Sequence, residues 1–139
     1  SSGPLVDRIS EGWELWLDGG HNPAAGEVLA AQAAEWCDKP LFGIWGMHSS
    51  KDPDAFITPL LSHMAALRTV AITGEAASIS PAALAGIAGR YGGNVQSASS
   101  LERAIDDLVG FSGTPGRILI CGSLYLAGYT LKFNQTKIN

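Results

Sequence analysis

Leu15-Trp16-Leu17-Asp18-Gly19-Gly20-His21-Asn22-Pro23-Ala24-Ala25 is the stretch that decides how the rest of the chain is read. Residues 13–17 are apolar enough for a buried strand, which ends at an acid, Asp18. Gly19 and Gly20 predict a tight turn with no Cβ to obstruct a ligand. Asn22 is a good N-cap and Pro23 a good first helical residue. Asp18, His21 and Asn22 therefore fall at the C-terminal edge of a strand and the N-terminus of a helix. Ligands of open α/β sheets bind along that edge, and a helix N-terminus favours anions. A Gly-rich strand-to-helix turn is also ordinary connecting chemistry, so this spacing alone leaves both readings open.

The same alternation continues outward. A helix is predicted from Pro23 to Cys37, with Ala25, Leu29, Ala33 and Trp36 facing the sheet. Pro40 to Gly46 reads as the second strand, followed by a loop through His48 and Lys51 and a helix start at Asp52-Pro53. That helix carries Phe56, Ile57, Leu60, Leu61, His63 and Met64. Pro59 should kink or break it, with the regular part after the proline. A third strand is expected at Arg68 to Thr73, then a loop from Gly74 to Ile79. Ser80-Pro81 opens a helix to Tyr91. Asn94 to Gln96 is a short strand, and Ser99-x-x-Glu102 is a capping box for a helix through Leu108. Arg117 to Cys121 is the last strand, leading through Gly122-Ser123 into a helix from Leu124 to Phe133. Repeated β-α alternation predicts a Rossmann-like three-layer α/β sandwich, its sheet mostly parallel with helices on both faces.

A chain of 139 residues, 46% hydrophobic and 16% charged, is one compact domain with a real core. The net charge of −4 and the lack of any basic stripe exclude a nucleic-acid partner. No apolar run reaches membrane-span length and no signal peptide is visible. Cys37 and Cys121 lack metal-ligand spacing and read as reduced core cysteines of a cytoplasmic protein. No P-loop, dinucleotide fingerprint or Gly-x-Ser-x-Gly elbow is present. Ser1-Ser2-Gly3 reads as a cloning remnant or cut linker, leaving residues 4–139 as the domain, expected to be part of a longer enzyme.

Three segments resemble the C-terminal domain of folylpolyglutamate synthase and dihydrofolate synthase, in the Mur ligase superfamily. They are Leu17-Asp18-Gly19-Gly20-His21-Asn22-Pro23, the looser Gly46-Met47…Lys51-Asp52, and Ile118-Leu119-Ile120-Cys121-Gly122-Ser123-Leu124-Tyr125-Leu126-Ala127-Gly128. The second departs from the family pattern at Ser50, where an acid is common. The resemblance implies an ATP-dependent amide ligase that adds L-glutamate to dihydropteroate or folate through an acyl phosphate. It further implies a separate P-loop domain holding most of the Mg²⁺ ligands, so that this chain alone is inactive, and one antiparallel edge strand in the sheet. A monomer is expected.

By the same resemblance Asp18, His21 and Asn22 would contact ATP, with Asn22 serving first as N-cap. Ser123, Lys51 and Tyr125 would serve the glutamate. Lys51 is otherwise a solvated loop lysine, and Tyr125 a core aromatic. No residue is assigned as catalytic or as a metal ligand. Two alternatives are a peptidoglycan Mur-type domain, where a lysine rather than His21 is expected soon after the aspartate, and a non-catalytic Rossmann-like module for a small anion.

Overall fold

The computed structural model describes residues 12–49 and 51–122. Its elements alternate strictly: β1 (Glu14–Leu17), α1 (Pro23–Glu35), β2 (Leu41–Trp45), α2 (Pro53–Leu61), β3 (Ala66–Thr69), α3 (Pro81–Gly89), β4 (Val95–Ser97), α4 (Leu101–Phe111) and β5 (Arg117–Cys121). The sheet order is β1-β5-β2-β3-β4, and every pairing between these strands is parallel. The expected antiparallel edge strand is not among the described strands. The predicted last helix lies outside the described residues.

Strand periodicity sorts the side chains onto two faces. On one, Leu29 and Ala33 of α1, Phe56, Ile57 and Leu60 of α2, and Leu84 and Ala88 of α3 cover Leu41, Trp45, Leu67, Leu119 and Cys121. On the other, Leu101, Ala104, Ile105 and Leu108 of α4 cover Leu17, Phe42, Ile44, Ala66, Ile118 and Ile120. The three-layer α/β architecture is thus as expected. α1 meets α2 closely because Gly26 lies against the Phe56 backbone, where a Cβ would stand 2.4 Å from the Phe56 carbonyl oxygen.

Each helix starts on a polar cap. Asn22, Asp52, Ser80 and Ser100 accept hydrogen bonds from the amides of Ala25, Ala55, Ala83 and Arg103, satisfying donors that the helix itself cannot. The cap of α4 is therefore Ser100, not Ser99, and the expected capping box with Glu102 does not form. Several other expectations are corrected. Pro59 does not break α2: it sits inside the helix between the buried anchors Ile57 and Leu60, and the helix ends at Leu61. His63 is exposed in the turn beyond that helix. β3 runs from Ala66 to Thr69, and Val70 and Ile72 are buried beyond its end. α1 stops at Glu35, so Trp36 is its C-cap and Cys37 is exposed rather than in the core. Cys121 is buried as expected.

The sheet is locked at its N-terminal end by Arg117, the first residue of β5. Its guanidinium donates to Glu14 Oε1 (2.8 Å) and to Asp38 Oδ1 (2.7 Å), and stacks 5.2 Å from the Trp36 ring. Glu14 also accepts from Trp16 Nε1 (2.9 Å) and Lys39 Nζ (3.1 Å). These bonds to the ionised carboxylate, Arg117 first, hold Glu14 down at about 2 from an ordinary 4.5. Arg117 likewise holds Asp38 below its ordinary value, and the pair raises Arg117 in turn.

Two outcomes follow from this packing. A depressed carboxylate stabilises the fold fully above its unfolded value and loses that contribution as pH falls toward its folded value. Glu14→Gln should therefore lower stability by a constant amount above pH 4.5, and the gap to wild type should close as pH falls to about 2 in denaturant titrations. Gly26→Ala should destabilise the domain by about 1–3 kcal/mol, since the atom it meets is backbone and α1 must move off α2; an unchanged unfolding midpoint would contradict the close helix contact.

Candidate functional site

β1, β5 and β2 end side by side, and the loops that follow them gather at the C-terminal edge of the sheet. Asp18 is fixed there by its amide, which donates to the Ile120 carbonyl at 3.0 Å. Its Oδ1 accepts from the Gly20 amide at 2.7 Å, closing the turn. Its other carboxylate oxygen makes no bond to a described residue. A Cβ at Gly20 would stand 2.6 Å from Ala25 Cβ and 2.9 Å from Asp18 Oδ1. Neither Gly19 nor Gly20 has a positive φ, so Gly20 is needed for space, not for conformational freedom.

Asn22 Oδ1 accepts the Ala25 amide at 2.8 Å and the Asn22 carbonyl accepts the Gly26 amide at 3.1 Å. The N-cap role expected of Asn22 is present. His21, between the turn and the cap, is half-buried, and its Nδ1 is sealed from solvent with no hydrogen-bond partner among the described residues. Leaving such an atom unpaired costs about 1–3 kcal/mol, so this nitrogen is open to a partner that the described residues do not supply. Asp18, His21 and Asn22 thus occupy one short turn at a helix N-terminus. That end of α1 supplies amide donors and a favourable field for an anion.

Asp18 also reaches the next strand. Burial, and secondarily the Asp18 charge, pushes the Cys121 thiol upward, so that thiol stays protonated and inert. Gly122, just past β5, has φ +99°, and a Cβ on it would stand 2.4 Å from the Gly46 carbonyl oxygen and from Trp45 Cδ1. Only glycine suits that position, in both conformation and space. Trp45 is fully buried and its Nε1 has no partner among the described residues. Ser123 and Tyr125 lie outside the described residues.

Lys51 arrives from the end of β2, with β5 between it and the Asp18 turn. It is half-buried, its amide donates to the His48 carbonyl at 3.1 Å, and its ammonium pairs with no described residue. The next residue, Asp52, caps α2. The expected loop from Gly74 to Ile79 carries no motif, yet it is paired with this one. The Ser49 amide donates to the Ala77 carbonyl (2.8 Å), the Ile79 amide donates to the Met47 carbonyl (2.9 Å), and His48 and Ser78 form an antiparallel bridge. No local pattern signals such a pairing, because the partners meet only through the β2–β3 neighbourhood.

An open concavity of about 390 Å³ lies at the opposite end of the sheet, lined by Trp36, Asp38, Lys39 and His63 among others. Its Asp38 and Lys39 are already paired with Arg117 and Glu14, so it offers few polar groups to a ligand. Among the described residues, no group of three or more His, Cys, Asp or Glu could hold a metal ion. Nor is any helix among them long and apolar enough to cross a membrane.

Several solved structures share this architecture. The folylpolyglutamate synthase of Mycobacterium tuberculosis, complexed with ADP and AMPPCP, is similar with a TM-score of 0.77 and 26% identity over 90% of this chain and 30% of that one. Escherichia coli FolC in complex with DHPP and ADP is similar in fold, with a TM-score of 0.72 at 21% identity over 89% of this chain and 29% of that one. So is a bifunctional folylpolyglutamate synthase/dihydrofolate synthase with Mn, AMPPNP and L-glutamate bound, with a TM-score of 0.74 at 22% identity, again over 89% and 29%. The chain spans less than a third of the length of each of these proteins. No curated protein sequence matches it. Residues 5–124 match the family described as Mur ligase, glutamate ligase domain, and on that match, which takes in both the Asp18 turn and the Lys51 loop, the chain belongs to the Mur ligase family.

Proposed function

We propose that this chain is the C-terminal, glutamate-serving domain of an ATP-dependent ligase that joins L-glutamate to dihydropteroate or to folate. The observation that carries the reading is the Asp18–Asn22 turn, which sets a carboxylate, an unpaired histidine nitrogen and a helix N-terminus together at the sheet edge. Support comes from the family match and from similar enzymes whose structures hold ADP, AMPPNP, DHPP or L-glutamate.

In this reading a carboxylate of the acceptor attacks the γ-phosphate of ATP, giving an acyl phosphate and ADP. The amine of L-glutamate then attacks the acyl carbon, phosphate leaves, and the amide forms. Such chemistry needs phosphate charge stabilised and the amine held for attack. His21 donates to a nucleotide phosphate oxygen, and Asp18 contacts the nucleoside or a bound ion. Asn22 acts chiefly by holding the helix end in place. Lys51 and Ser123 bind the glutamate carboxylates, and Tyr125 lines the same pocket. Mg²⁺ neutralises phosphate charge when bound. The described residues do not by themselves fit a metal; by the family resemblance its ligands belong mainly to a P-loop domain elsewhere in the protein. We place the enzyme in the cytoplasm, as a monomer.

Asp18→Asn keeps an acceptor for the Gly20 amide but removes the charge. In the full-length protein, this variant and His21→Ala should each lower kcat/KM for glutamate ligation on the order of 10²-fold, with melting temperatures close to wild type. Wild-type turnover in both variants would remove these residues from the site. The 139-residue chain alone should ligate no glutamate and bind ATP weakly by calorimetry; tight binding would contradict the need for a separate phosphate loop.

A further inference from the structure

We infer that Ser78, seconded by Glu75, is a positioning residue that holds the Lys51 loop in place from the neighbouring β3–α3 loop. The inference rests on the reading of Lys51 given above and extends it to residues that no motif marks.

The Lys51 loop leaves β2 at Gly46 and runs beside the β3–α3 loop. The two loops are bonded to one another. Met47 and Ser49 are bonded on either side of the His48–Ser78 bridge, through the Ile79 amide and the Ala77 carbonyl. Met47 is fully buried, so this ladder has a fixed floor. Ser78 keeps the far side in register: its Oγ accepts from the Ile72 amide (2.9 Å) and donates to the Ile79 carbonyl (3.2 Å). One hydroxyl therefore ties the stem of the loop, at Ile72, to the rung that meets Met47.

Glu75 adds a second tie. Its Oε1 accepts from the Ala77 amide (3.3 Å) and stands 3.8 Å from His48 Nε2. Its amide donates to the Ile72 carbonyl (3.2 Å), and its carbonyl accepts from the Ser78 amide (3.2 Å). The Lys51 amide in turn donates to the His48 carbonyl (3.1 Å). The chain of bonds thus runs from Ser78 and Glu75, through His48, to Lys51. Neither Ser78 nor Glu75 touches substrate in this account. Their effect is to keep the Lys51 backbone at one place, so that its ammonium meets the glutamate without a search.

The test is steady-state ligation by the full-length protein carrying Ser78→Ala, Ser78→Thr, Lys51→Ala, or Ser78→Ala with Lys51→Ala. Losing the hydroxyl should raise KM for L-glutamate about three- to tenfold while KM for ATP stays unchanged. Ser78→Thr, which keeps the hydroxyl, should restore the wild-type KM. In the double variant the effect of Ser78→Ala should vanish, since there is no ammonium left to misplace. A raised glutamate KM in Lys51→Ala with a wild-type KM in Ser78→Ala would overturn the positioning role and leave the Lys51 reading standing. A wild-type KM in Lys51→Ala would overturn that reading, and the positioning role with it. Additive effects, or equal changes in both KM values, would mark Ser78 as a general support of the fold. Should Ser78→Ala fail to fold, Glu75→Ala replaces it in the same comparison and is judged by the same outcomes.

Discussion

The domain depends on its last described strand filling the gap in its sheet. β5 pairs with β1 on one side and β2 on the other, and no pairing joins β1 to β2 directly. Glu14 at the start of β1 and Arg117 at the start of β5 meet across a sequence separation of 103 residues. Until that contact forms, β1 pairs with no other described strand and the Asp18 turn has no described neighbour to fix it. Non-local pairing of this kind costs loop-closure entropy before it gives stability. Arg117 concentrates the return at one point, binding Glu14, Asp38 and the Trp36 ring together.

The same insertion builds the candidate site at the other end of the sheet. Because β5 lies between β1 and β2, the Ile120 carbonyl takes the Asp18 amide while the Cys121 carbonyl takes the Gly46 amide. Three strand ends are thereby held in one row, with glycines wherever backbone approaches too closely for a side chain. Gly20 and Gly122 occupy such places. The N-terminal end is locked by paired charges, whereas at the C-terminal end the His21 nitrogen and the Lys51 ammonium find no partner among the described residues. That contrast is the physical reason for looking to the second end for function.

Much of this was legible in the residues. The order of strands and helices followed from apolar runs separated by polar caps, and three of the four N-caps were read at the right residue. Asp18, His21 and Asn22 could be placed at a strand end because Asp-Gly-Gly-His-Asn-Pro contains both a turn and a helix start. Other features depend on neighbours distant in sequence. Position 59 reads as a helix breaker, yet Ile57 and Leu60 anchor the helix on both sides of the proline. Gly20 reads as a tight-turn residue that leaves space for a ligand, but it is Ala25 and the Asp18 carboxylate that leave it no room for a side chain. Cys37 sits in an apolar stretch but falls just past the end of α1, on the exposed side. The tie between Ser78 and the Lys51 loop is set by two strands lying side by side, which no spacing along the chain records.

The most direct test of the central claim is ATP-dependent glutamate ligation by the full-length protein, with dihydropteroate and tetrahydrofolate offered in separate reactions. The account predicts amide formation with at least one acceptor, accompanied by stoichiometric ADP and phosphate. A folded protein with an intact P-loop that ligates glutamate to neither acceptor would contradict it.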